Sequence, residues 1–209
     1  MRIPLVVCVY YLTLVVATIV GGFRYRNLSR SLRILEWLFV FNVVEVTIQI
    51  ALAVSHIHNL WTGHFYTFFE FIFIVLIFLN WMKPLLYRWM LWFCCSAFAL
   101  FWIISKFTFE PISAFGGWTA TISRILQIIF SIIILVTIVK ENDIVWTKDP
   151  RFWVAASIIF YAAGSIFMFA LFNNMLDISP QRLKSLWPMN SILMIISNLL
   201  YIRAFLCKT

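Results

Sequence analysis

The chain has 209 residues, 64% hydrophobic and 11% charged, with a mean hydropathy of +0.98. A soluble domain is about 45–50% apolar and about 25% charged, so one water-facing core could not hide this much apolar side chain, and an ordinary globular domain is excluded. The formal charge of +8 is not a nucleic-acid footprint either, because the cations sit in short gaps between apolar runs and act there as topology signals.

A helix needs roughly 20 apolar residues to cross the hydrocarbon of a bilayer. Seven stretches qualify: residues 3–22, 34–55, 65–82, 85–107, 118–140, 152–175 and 187–207. The fold class expected is therefore all-α, a polytopic membrane protein built as a bundle of seven transmembrane helices with short loops, in a single domain covering 1–209. The first stretch exceeds a signal-peptide core, has no small-x-small cleavage site and is followed by Arg24, Arg26, Arg30 and Arg33, a stop-transfer pattern, so it is expected to remain. The turn Lys83-Pro84 between the third and fourth spans predicts that these two are antiparallel neighbours. Pro84, Pro111, Pro150, Pro180 and Pro188 fall in gaps or at helix starts. Trp61, Trp81, Trp89, Trp118, Trp153 and Trp187 mark span ends and read as interfacial anchors. Cys8, Cys94, Cys95 and Cys207 form no CxxC pair and read as small apolar-helix residues rather than a disulfide or zinc framework.

Lys and Arg set the orientation. The first gap holds four arginines, the third Lys83 and Arg88, the fifth Lys140, Lys148 and Arg151, and the C-terminus Arg203 and Lys208. On the other side the second gap holds neither residue type and the fourth only Lys106; the sixth, with Arg182 and Lys184, is the one discordant loop. The rule puts the N-terminus outside and the C-terminus in the cytoplasm.

An ionisable residue within a span faces the bundle interior or a wet cavity. On the second span Asn42, Glu45, Gln49 and His56 share one face; on the third, Tyr66, Thr67 and Glu70; on the fifth, Arg124, Gln127 and Ser131. At 1.5 Å per residue Glu70 and Arg124 lie about 10 Å below the outer end and Glu45 about 15 Å. Tyr161 and Ser165 on the sixth span and Asn190, Ser197 and Asn198 on the seventh add partners. The expectation is a polar pocket in the outer half that binds a ligand through Glu45, Gln49, Glu70, Arg124, Gln127, Tyr161 and Asn198. The structural alternative is that Arg124 serves only as counter-ion to the carboxylates. His56, His58 and His64 are the only histidines. Their irregular spacing makes them candidates for a metal only together with a carboxylate, and interfacial loop histidines are the plainer reading, so no metal and no cofactor is assigned.

The last span lacks the lysine of a retinal protein, and no histidine follows His64, unlike the late-helix histidines of the alkaline-ceramidase-like seven-helix zinc hydrolases. There is no GxSxG, HExxH or P-loop. Asp149-Pro150-Arg151-Phe152-Trp153, Tyr161-Ala162-Ala163-Gly164 and Phe167, with Asn59 and Glu70 earlier, resemble a group of uncharacterised bacterial seven-helix integral membrane proteins of about this length. That resemblance implies a fold outline and a bacterial inner-membrane location, and no activity. The functional expectation is a small-molecule-binding sensor or receptor-like module, whose partners are the lipid bilayer, a small-molecule ligand and a separate signalling protein, with no nucleic acid. A transporter of a small solute, or an intramembrane enzyme using Glu45 or Glu70 as acid or base, are the alternatives; no catalytic residue is assigned.

Overall fold

A computed structural model describes the backbone of residues 4–82, 85–114, 116–141, 145–175 and 180–207, and the side chains of these segments other than 169–187. The Lys83-Pro84 turn, Lys208 and the side chains of Arg182, Lys184 and Trp187 lie outside the described residues. Among the described residues there are seven α-helices, two 3-10 turns and no strand: α1 (Leu5–Arg24), α2 (Arg30–Val54), α3 (Leu60–Trp81), α4 (Leu85–Thr108), α5 (Gly117–Lys140), α6 (Pro150–Met175) and α7 (Pro180–Leu206). All seven are long and apolar enough, by length and composition, to cross a membrane.

The starts of α2, α3 and α7 lie four, five and seven residues ahead of the sequence expectation, and those of α3 and α7 change how residues are read. α3 begins at Leu60, so His64 is in a helix and not in a loop. α7 begins at Pro180, so Pro188 stands inside the helix and not at its start. In both cases hydropathy marks where the apolar stretch begins, whereas backbone hydrogen bonding decides where the helix begins.

The chain divides into two compact units, Leu28–Ser123 and Met1–Asn27 with Arg124–Thr209. In the first unit α3 packs against both α2 and α4. Its core is Leu32, Leu35 and Phe39 of α2, Phe71, Ile74, Ile77 and Phe78 of α3, and Leu91 and Phe98 of α4. Phe71 and Phe98 meet with ring centroids 4.3 Å apart. In the second unit α7 packs against α6 and α1. Val154, Ala155, Ile158 and Ala162 form one buried stripe along α6 at helical spacing, and small residues bring the helices close. A Cβ on Gly164 would stand 2.6 Å from a methyl of Leu193, so α7 lies directly on this glycine.

α2 stops without glycine or proline. The Ile57 amide donates to the Leu52 carbonyl at 2.9 Å and the His56 amide to the Ala53 carbonyl at 3.2 Å. These two bonds are a Schellman ending, and its left-handed position is taken by His56 at φ 57°. An L-residue with a side chain is strained there by about 1–2 kcal/mol. His56→Gly is accordingly expected to raise stability by about 1 kcal/mol, read as an increase of roughly 2–4 °C in the melting temperature of the detergent-solubilised protein.

Candidate functional site

In the first unit the polar residues of α2 and α3 come together as helical spacing requires. Gln49 stands one turn after Glu45, and its amide donates to the Glu45 carboxyl. Thr62 of α3 is within hydrogen-bonding reach of that carboxyl, and Glu70 is near enough to act on it electrostatically. The Tyr66 hydroxyl, one turn before Glu70, is 3.4 Å from its carboxyl. Glu45 and Glu70 are both buried, at 7% and 5% exposure. Phe41 covers the group, stacking on Tyr66 at 6.3 Å and meeting Phe69 edge-on at 5.5 Å. Asn59 donates to the Gln49 carbonyl at 3.4 Å and so ties the α2–α3 connection to this group.

In the second unit Arg124 is buried and holds Gln127 and Tyr161. One guanidinium nitrogen donates to the Gln127 side-chain oxygen at 2.9 Å and the other approaches the Tyr161 hydroxyl at 3.4 Å. The guanidinium carbon lies 4.5 Å from the centre of the Tyr161 ring, a cation–π contact. Asn198 is engaged elsewhere in this unit: its amide donates to the Thr13 hydroxyl at 3.2 Å and joins α7 to α1. The neighbouring Ser197 hydroxyl meets that of Ser157 at 2.7 Å, joining α7 to α6. Of the seven residues expected to bind a ligand, Glu45, Gln49 and Glu70 thus form one group and Arg124, Gln127 and Tyr161 another.

A third polar cluster, in the first unit, was not expected from the sequence. Lys106, read there as a topology signal in a gap, is buried two residues before the end of α4. Its ammonium bonds the Glu110 carboxylate at 3.0 Å and the His64 Nδ1 at 2.7 Å. The Glu110 carboxylate also accepts the Trp118 amide at 2.8 Å, the Thr119 amide at 3.3 Å and the Thr119 hydroxyl at 2.6 Å. Those amides belong to the first turn of α5, whose N–H groups have no partner within the helix, so Glu110 serves as an N-terminal anion for α5 from outside it. The His64 Nε2 is 2.9 Å from the Ala114 carbonyl. The Trp102 indole donates to the His64 backbone carbonyl at 3.2 Å, and its ring faces the Lys106 ammonium at 5.5 Å. The signal available in the sequence was the Lys106-x-x-x-Glu110 spacing, a cation and an anion one helical turn apart on an otherwise charge-poor side.

The three histidines do not act together. His56 ends α2, His56 and His58 are exposed, and His64 is buried with both ring nitrogens engaged. Among the described residues no group of three or more His, Cys, Asp or Glu side chains is placed to hold a metal ion.

Comparisons with protein-family models, with curated proteins and with solved structures return no match.

Two outcomes are expected of the Lys106 cluster. A Cβ on Gly116 would stand 2.7 and 2.8 Å from His64 ring atoms that two hydrogen bonds hold in place. Gly116→Ala should therefore cost about 1–3 kcal/mol in chemical denaturation, an overpacking penalty that His64→Ala in the same chain relieves in a double-mutant cycle. Glu110→Gln leaves the Lys106 ammonium without its counter-ion and should cost about 3–5 kcal/mol, while Lys106→Met combined with Glu110→Gln recovers part of that loss.

Proposed function

We propose that the protein is an integral membrane protein that binds a small molecule through its buried polar groups and works as a sensor or receptor-like module. The observation that carries the membrane reading is the inverted polarity of α5. Its exposed face is Ile125, Ile129, Ile132, Val136 and Val139, while Ser123, Arg124, Gln127 and Ser131 are buried. A helix in water shows the opposite arrangement, and lipid is the solvent in which this one is favourable. Trp37, Trp89, Phe93 and Phe107, all more than half exposed, extend the apolar surface to α2 and α4.

Ligand binding is supported by Glu45, Gln49, Thr62, Tyr66 and Glu70. Two carboxyls that act on each other in apolar surroundings, with an amide and two hydroxyls beside them, are the donors and acceptors that a polar small molecule would engage. Arg124, Gln127 and Tyr161 form a second group of this kind, with a permanent cation. The distribution of Lys and Arg supports an N-terminus outside and a C-terminus in the cytoplasm. The described residues are nearly all helix with short connections, so a bound state would be passed on through contact with a separate signalling protein.

The test is thermal unfolding of the detergent-solubilised protein against a panel of metal ions, lipids and small metabolites, with Glu45→Gln, Glu70→Gln and Arg124→Ala alongside. A ligand at one hundred times its Kd should raise the melting temperature of the parent by roughly 5–10 °C. The shift should be lost in at least one of the variants that still folds. A panel that shifts nothing, with an Arg124→Ala protein that fails to fold, would overturn ligand binding in favour of a purely structural polar interior.

A further inference from the structure

The His64 ring is held by one donor and one acceptor, which settles its proton. Lys106 has only N–H to give, so at 2.7 Å Nδ1 must be the acceptor and carries no hydrogen. Nε2 faces the Ala114 carbonyl at 2.9 Å, so it must be the donor. The ring is therefore the neutral Nε2–H tautomer, and the one place left for a second proton is the nitrogen that the Lys106 ammonium occupies. A proton on His64 and the Lys106 bond are mutually exclusive.

We propose that His64, Lys106 and Glu110 form a proton-operated latch that ties α3 to the end of α4 and to the turn leading into α5. With His64 neutral, Lys106 bonds the ring on α3 and the carboxylate of Glu110, and the ring holds the turn through Ala114. With His64 protonated, two cations would face each other at contact distance, and Glu110 can neutralise only one. Lys106 remains with Glu110, four residues away, and the tie to α3 opens. Glu110 stays bound to the first turn of α5 in both states.

The charged groups facing the ring are Lys106 from α4 and Glu110 from the turn after it. α2, the other neighbour of α3, brings Glu45 to Thr62, which lies about 200° around α3 from His64 at 3.6 residues per turn. Glu70, six residues on, lies about 240° away by the same count. His56 and His58 are exposed in the α2–α3 connection. A proton has a short path to the ring, because Pro111, Ile112 and Ser113 of the adjoining turn are exposed. The latch is independent of ligand binding at Glu45 and Glu70.

The experiment uses the full chain carrying His56→Asn and His58→Gln, so that His64 is the one imidazole, with histidine labelled by nitrogen-15 in detergent micelles. At pH 7.5 the nitrogen shifts should report the neutral Nε2–H tautomer. As the pH falls to 5.5 and below they should move to the doubly protonated ring, and between pH 7.5 and 5.5 the melting temperature should fall by roughly 2 °C. His64→Gln supplies the same acceptor and donor without titrating, so its melting temperature should lose less than half as much over that interval. An Nδ1–H tautomer at pH 7.5, or a His64→Gln protein that loses as much on acidification as its parent, overturns the proposal. Should His64→Gln not fold, the tautomer and its change with pH decide alone.

Discussion

A charge or hydrogen-bonding group buried in an apolar helical chain has to find its partner within the chain, since an unmatched ion there costs several kcal/mol. The Lys106–Glu110 pair shows how the constraint shapes the fold. One carboxylate satisfies an ammonium at the C-terminal end of α4, where the helix dipole favours a cation, and two amides at the N-terminal end of α5, where it favours an anion. The pair carries no net charge, and its carboxylate closes the start of α5, whose first amides have no partner within the helix. The position of the turn between α4 and α5, the seat of the His64 ring and the need for glycine at position 116 all follow from it.

The second unit meets the same constraint with other chemistry. Arg124 is spread over an amide oxygen, a hydroxyl and an aromatic face. Its delocalised, weakly hydrated guanidinium suits that use better than an ammonium would. The helix joints are neutral: Ser157 with Ser197 between α6 and α7, and Asn198 with Thr13 between α7 and α1. Small hydroxyl residues let helices approach closely while pairing with each other, and Gly164 under Leu193 serves the approach without any polar group. At the other end of this unit Arg151 is clamped between Asp149 and Glu141, at 2.7 and 2.5 Å, and the Arg151 amide bonds Asp149, which thereby caps α6.

These arrangements separate two uses of buried polarity. In the Lys106 cluster every group has a partner of opposite kind and the carboxylate is saturated, which is what a joint between helices needs. Around Glu45 and Glu70 two acids act on each other with hydroxyls and an amide beside them, a gathering of like groups and not of opposite ones. The contrast directs the ligand reading to the second group and the proton reading to the first.

The sequence by itself determined the seven apolar helices, because about 20 apolar residues in a row leave the backbone no alternative that satisfies its own hydrogen bonds. It also determined the burial of Glu45, Glu70, Arg124 and Gln127, since helical periodicity sets which residues share a face, and the pairs Glu45–Gln49 and Arg124–Gln127 are within one turn of each other. The true starts of α3 and α7 were not legible, because polar residues such as Thr62, His64, Gln181 and Lys184 interrupt the apolar pattern there and the helical state depends on backbone bonding that hydropathy does not register. Nor was the role of His56, since a left-handed residue is chosen by the way α2 ends and not by its side chain. Only the tertiary structure decided that Asn198 turns to Thr13, that Tyr161 lies against Arg124, and that His64 meets Lys106 across 42 residues of chain. Local spacing fixes a side chain's direction around its own helix, but which helix it then faces depends on how whole helices pack, and packing is a property of all their surfaces at once.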